Sequence, residues 1–198
     1  MSVERRELRR KLFNLAAQQG GYFTAAQAKD VGYSYQAQAH HIESGNWERT
    51  GRGLFRLVEW VPESDDDLAR WTLWSKGRAI VSHETALSVH GIGEFESALV
   101  HLTVPPGFSM RDDALALHFA CLQGNDVLQQ KGYRTTTASR SIIDIAATGV
   151  DDDQLVRAIQ DALSIGAFTI RQLRSRAEAI DLKAALRIER AIQQLEAQ

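Results

Sequence analysis

Very little in this sequence invites covalent or metal chemistry. It holds one cysteine, Cys121, so an internal disulfide and a cysteine-based zinc site are both excluded. No apolar run approaches the ~20 residues that a membrane span requires. None follows the opening Met-Ser-Val-Glu-Arg-Arg that could serve as a signal peptide. A chain of this kind is expected in a reducing cytoplasm, with no membrane partner. There is no internal repeat, no low-complexity tract and no segment whose composition reads as disordered. Nor is there an overall excess of charge: 23 Lys+Arg stand against 25 Asp+Glu.

Several catalytic signatures are also missing. There is no phosphate-binding Walker loop, no dinucleotide glycine pattern and no Gly-x-Ser-x-Gly elbow. His83-Glu84 and His90 lack the four-residue histidine spacing that places two imidazoles on one face of a zinc-protease helix. They read as structural histidines. Ser82, His83 and Asp144 can be drawn as a triad, but Ser82 is better explained as a helix cap. Asp144 fits a pair with Arg140 one helical turn back. The run Asp151-Asp152-Asp153 fits a helix start, where carboxylates satisfy free N–H groups and suit the macrodipole. The expectation is no enzyme, no cofactor and no metal site. Cys121, inside the apolar run Leu115–Leu122, is expected to be a small buried hydrophobe.

What is present is an ordinary globular composition, 44% hydrophobic and 24% charged, in 198 residues. That suffices for one medium or two small domains. The charge is unevenly spread. Residues 1–60 carry nine Lys+Arg against six Asp+Glu, a balance of +3, and the remainder carries −5. A basic first part points to an anionic partner for that part alone.

The pattern of that first part is specific. Leu8, Leu12, Leu15 and Ala16 mark the buried stripe of a helix over 4–18, stopped by Gly20-Gly21. Thr24 and Gln27 form a capping-box pattern for a second short helix that Gly32 ends. Ser34 caps a third, over 35–44, with Ala39 and Ile42 as its buried edge. Two extended runs, 47–50 and 54–57, then flank Gly51-Arg52-Gly53 as a hairpin. Three helices with a tight turn between the second and third, followed by a hairpin, make a winged helix-turn-helix. The third helix is of a size to enter a major groove, with the wing gripping the phosphates beside it.

The expected DNA-contacting residues are Thr24 and Ser34 at the helix starts, and Tyr35, Gln36, Gln38, His40 and His41 on the outward face of the third helix. Arg49, Arg52 and Arg56 on the wing complete the set. Gln is suited to a bidentate contact with adenine, and each arginine to neutralising a phosphate. A winged helix used for protein contacts is the alternative, favoured by the weakly basic third helix.

After a break at Val61-Pro62 the pattern turns mixed. Ser64 and the acidic run 65–67 start a helix with Leu68, Trp71 and Trp74. Strands are expected at 79–81, 98–104 and 114–122. Helices are expected from Ser82 to Gly91, over 137–148, and three more in the last ~50 residues. The fold class is therefore α+β: a winged helix-turn-helix over 1–61, then a mixed α/β domain over 62–198 that ends in helices.

Three blocks carry a family resemblance. The first is Gly20-Gly21-Tyr22-Phe23-Thr24-Ala25-Ala26-Gln27-Ala28 with Gly53-Leu54-Phe55-Arg56-Leu57. The second is Val81-Ser82-His83-Glu84-Thr85-Ala86-Leu87 with Val100-His101-Leu102-Thr103-Val104-Pro105. The third is Thr137-Ala138-Ser139-Arg140-Ser141-Ile142-Ile143-Asp144. In order and spacing the chain resembles the AbiEi antitoxins of type IV toxin–antitoxin systems over about residues 4–180. The resemblance implies a winged helix that binds double-stranded operator DNA and represses its own operon. It also implies a larger domain that counters a nucleotidyltransferase toxin without necessarily forming a stable complex with it. The third helix departs from the family habit, having Tyr35, Gln36 and His40 where arginines are common. The Asp…Glu-x-Lys pattern of a nuclease-like second domain is absent. A stand-alone winged-helix transcription factor, or an interaction module with no toxin, stays open beside this reading.

Overall fold

The computed structural model describes residues 3–197; residues 1, 2 and 198 of the expected domain ranges lie outside them. The chain divides into two compact units, residues 1–79 with 129–134, and residues 80–128 with 135–198. The expected boundary at residue 61 falls inside the first unit.

The first unit runs α1 (Val3–Ala17), β1 (Tyr22–Thr24), α2 (Ala25–Val31), α3 (Tyr35–Glu43), β2 (Trp47–Gly51), β3 (Leu54–Leu57) and α4 (Asp66–Trp74). The strands form an antiparallel sheet in the order β1-β3-β2. Strand alternation sorts its residues onto two faces. Phe23, Trp47, Phe55 and Leu57 point to the helices, where they pack with Leu12, Ala16 and Ala28. Tyr22 and Arg56 point the other way, towards α4. There Tyr22 Oη donates to Asp67 Oδ1 at 3.1 Å, and Arg56 lies 3.8 Å from Asp66. Asp66 also accepts from Trp60 Nε1 at 2.7 Å and from the Glu63 backbone at 2.8 Å. These bonds explain why the first unit does not stop at Pro62: the second sheet face needs α4 as its cover.

Gly32 makes the turn between α2 and α3. Its φ of +123° suits only glycine, and a Cβ there would sit 2.8 Å from Leu8 Cδ2 of α1. Gly32→Ala is expected to destabilise the first unit by roughly 2–3 kcal/mol through strain and overpacking. Thermal melting followed by tryptophan fluorescence checks this, because Trp47, Trp60, Trp71 and Trp74 all lie in that unit.

The second unit is built on a mixed five-stranded sheet in the order β6-β5-β4-β8-β7. Its strands are β4 (Ile80–Val81), β5 (Val100–Val104), β6 (Leu115–Phe119), β7 (Val127–Gln129) and β8 (Arg134–Thr136). β4 pairs antiparallel with β5 and parallel with β8, and β5 is parallel to β6. The helices are α5 (His83–Val89), α6 (Ala138–Thr148), α7 (Asp152–Ser164), α8 (Ile170–Ile180) and α9 (Leu182–Glu196). Leu87, Ile142, Ile143, Ile159, Leu173 and Ile188 form the centre of their shared core. The expected caps are in place at Asp151, Thr169 with Gln172, and Asp181. Cys121 is exposed rather than buried. The apolar run around it ends as a strand at Phe119 on an edge of the sheet, and the chain beyond is irregular.

Asp144 pairs with Arg140 at 2.8 Å, as the spacing suggests, and Arg140 also reaches Asp126 at 3.0 Å. Arg176 closes the network on Asp126. Ser82 precedes α5 without capping it through its side chain. Instead its Oγ accepts from Thr103 Oγ1 at 2.8 Å and lies 2.9 Å from His83 Nδ1. His90 Nε2 sits 2.7 Å from the Thr136 carbonyl, well placed to donate to it. No helix among the described residues is long and apolar enough to cross a membrane.

Candidate nucleic-acid interface

α3 is capped at its start. Ser34 Oγ accepts from the Ala37 amide at 3.2 Å, so the helix starts where the sequence places its cap. Before it, Thr24 and Gln27 complete the reciprocal capping box of α2, at 3.1 and 2.8 Å. The hydroxyls of Thr24 and Ser34 are thus occupied as acceptors in helix capping.

The phase of α3 differs from the one expected. Tyr35, Gln36, Ala39, His40 and Glu43 are exposed and share one face by helical spacing. Ala37, Gln38, His41 and Ile42 face inward. Gln38 is 3% exposed, and its Nε2 donates to the carbonyls of Ala25 and Tyr33, both at 3.1 Å. Those carbonyls belong to the chain around α2, and an alanine methyl at the same place could donate to neither. That is why Gln38 turns in and Ala39 turns out, the reverse of what polarity alone suggests. His41 is half-buried and stacks on Trp47 at 4.7 Å and 12°, with its ring edge-on to Tyr33. Burial holds its pKa below the usual histidine value, helped by the neighbouring His40 and Arg9. Gln38 and His41 are therefore removed from the outward set.

Tyr35 is the most prominent of the remaining residues, 64% exposed at the first position of the helix. Lys29 of α2 reaches over it, 5.2 Å from the ring centre. The sequence reading missed Lys29, although its place in the last turn of α2 was available as a signal.

The wing carries its cations unequally. Arg52 is exposed at the tip, and the Gly53 carbonyl accepts from the Ala25 amide at 2.9 Å, which ties the tip to the start of α2. Arg49 is exposed, with its guanidinium 5.5 Å from the Phe55 ring. Arg56 is not a free wing cation. Its side chain is 19% exposed, close to Asp66 and 5.1 Å from the Tyr22 ring on the α4 side of the sheet. Odd and even positions of β3 face opposite ways, so Arg56 was bound to leave the face that Phe55 and Leu57 occupy.

The two arginines are expected to separate in experiment. Arg56→Ala should lower the melting temperature of the first unit by uncovering Asp66, at a cost of about 1–3 kcal/mol. Arg52→Ala should leave melting within about 0.5 kcal/mol of wild type. Paired melts of the two variants check this.

Beside α3 lies a groove of about 720 Å³ between α1, the α2–α3 turn and the ends of β2 and β3. Leu8, Leu12 and Leu57 line it with Tyr33, His41 and Trp47, and Arg5, Arg9 and His40 also contribute. Arg9 pairs with Glu59 there. Among the described residues, no group of three His, Cys, Asp or Glu side chains converges as a metal site would need.

Helices α1 to α3, the sharp turn at Gly32 and the β2–β3 hairpin define a winged helix-turn-helix domain. Residues 10–58, which span most of it, match the model of a family described as transcriptional regulator, AbiEi antitoxin. That agrees with the resemblance read from the sequence. The chain is similar in fold to the crystal structure of RV2827C protein from Mycobacterium tuberculosis, with a TM-score of 0.65 over 98% of this chain and 77% of that one. At 11% identity this is a likeness of fold alone. No curated protein matches the chain.

Proposed function

We propose that the chain is a DNA-binding transcriptional repressor whose first unit reads double-stranded operator DNA. In this reading Tyr35, Gln36 and His40 of α3 face the major groove. Lys29, Arg49 and Arg52 neutralise phosphates on either side. The observation that carries it is the single exposed polar face of a capped α3, with Lys29 reaching over its first residue. The mixed charge balance of the first sixty residues, +3 against −5 elsewhere, fits an anionic partner for this unit. No residue is assigned a catalytic role.

The antitoxin half of the reading rests on the family match over residues 10–58 and on the three-block resemblance. It assigns to the second unit the task of countering a nucleotidyltransferase toxin, and to the first the repression of the operon that encodes both. Titrating the full chain into a labelled duplex taken from upstream of its own gene tests the DNA claim. Retardation that competitor DNA of unrelated sequence removes poorly is expected. No binding at low salt by folded protein would reject it.

A further inference from the structure

The groove flanking α3 has a lining whose chemistry is specific enough to name an occupant. Its volume of about 720 Å³ lies within the range typical of small-molecule sites. Its aromatic wall is ordered: His41 lies flat against Trp47 at 12°, and Tyr33 meets Trp47 at 5.0 Å and 69°. Leu8 and Leu12 supply an apolar floor. The charged groups on the lining are mainly cationic. Arg9 and Glu59 neutralise each other, which leaves Arg5. Among the described residues Arg5 has no ion-pair or hydrogen-bond partner, and it is exposed. An apolar, aromatic-walled groove with one uncompensated guanidinium fits an aromatic body bearing a carboxylate. The guanidinium fork pairs with such a group in bidentate fashion.

The structure assigns this groove as a binding site for a small planar aromatic anion that regulates DNA binding. The regulatory half rests on the DNA-binding reading above; the binding half does not. The link is α3 itself. Ala37 and His40 line the groove, and His40 is also on the exposed face proposed to meet DNA. A carboxylate seated at Arg5 places negative charge beside that face and weakens its hold on phosphates, so the ligand acts as an inducer.

The test uses the full chain, with 2-naphthoate as probe and its neutral isostere 2-naphthamide as control. Groove resonances, the Trp47 indole foremost, are followed by heteronuclear NMR without DNA. Saturable shifts with a Kd of about 10 μM to 1 mM are expected for the carboxylate. Binding should be about tenfold weaker for the amide and for Arg5→Glu. It should be lost in Val58→Trp, which fills the groove from an exposed position. Both substitutions lie at exposed side chains, and unchanged melting shows that the variants fold.

Any of three results would overturn the site. These are the absence of saturable shifts, equal binding of acid and amide, or groove shifts that follow protein concentration alone, which would give the groove to a second copy. A separate arm adds saturating 2-naphthoate to the protein–operator complex, where a several-fold loss of affinity is expected. Binding of the ligand with unchanged DNA affinity would refute the regulatory half. A wild-type chain that binds no DNA would count against the repressor reading and leave the ligand titration to stand by itself.

Discussion

Replacing Arg49 and Arg52 together by alanine is expected to flatten the salt dependence of operator binding by nearly two released ions, because each phosphate contact contributes a slope of about 0.9. Fold stability should hardly change, since both side chains are exposed and neither has an ion-pair partner among the described residues. Gln36→Ala should behave differently. It removes a base-edge contact, so discrimination among operator sequences falls by about 1–3 kcal/mol while the salt slope stays. Tyr35→Ala combines the two effects: it loses a groove contact and frees Lys29, which lies over the ring. Fluorescence anisotropy on matched and scrambled duplexes at several salt concentrations separates these contributions. Gln38→Ala is the control for the phase of α3. It should lower stability through the loss of two buried hydrogen bonds and alter DNA affinity only as far as folding is lost.

The second large effect is acid sensitivity in the second unit. His83 sits at the start of α5 with a φ of +54°, and its ring stacks on His118 at 3.4 Å. His118 Nε2 lies 3.2 Å from His101 Nδ1, which is 2.7 Å from Glu84 Oε2. Burial and the neighbouring His118 push His83 down to about 3, and burial with His101 pushes His118 down to about 4. In the unfolded chain both titrate near 6.5. Between those values the unfolded state holds protons that the folded state refuses, so stability rises with pH over about 3–6.5 and falls on acidification.

Asp144 works against this. Its burial raises its pKa to about 6 in spite of Arg140, so its contribution is present at low pH and is lost as pH rises towards 6. Two imidazoles outweigh one carboxyl. The net expectation is a loss on the order of a few kcal/mol between pH 7 and pH 4. Hydrogen exchange of the α5 and α6 amides as a function of pH measures it. His118→Gln should flatten the profile, because one of the two depressed groups is gone and a second imidazole no longer opposes protonation of His83. Stability that stays constant or rises on acidification would show that these rings are protonated in the fold.

Much of the architecture was legible because it is written in local signals. Thr24 with Gln27, Ser34, Asp151, Thr169 with Gln172, and Asp181 all cap the helices they announce. Gly51-Arg52-Gly53 makes the expected wing. Two kinds of feature escaped. Short strands such as β1, at three residues, and β7 and β8 leave too brief an alternation to read. Polar residues with tertiary partners were misplaced because type alone was taken for exposure. Gln38 serves buried carbonyls, His41 lies on an indole, and Arg56 leaves the wing for Asp66. The groove residues did have a sequence signal. Arg5, Leu8, Arg9 and Leu12 recur at i, i+3, i+4 and i+7 on α1, which places two cations and two leucines on one face.

The central claim is that the exposed side of α3 enters a DNA groove. Amide shift mapping of the full chain on addition of operator duplex tests it most directly. The account predicts the largest changes at Tyr35, Gln36, His40 and Arg52, with α7 to α9 of the second unit unmoved. Changes confined to the second unit, or to the inward residues Gln38 and His41 with Tyr35 and Gln36 silent, would contradict it.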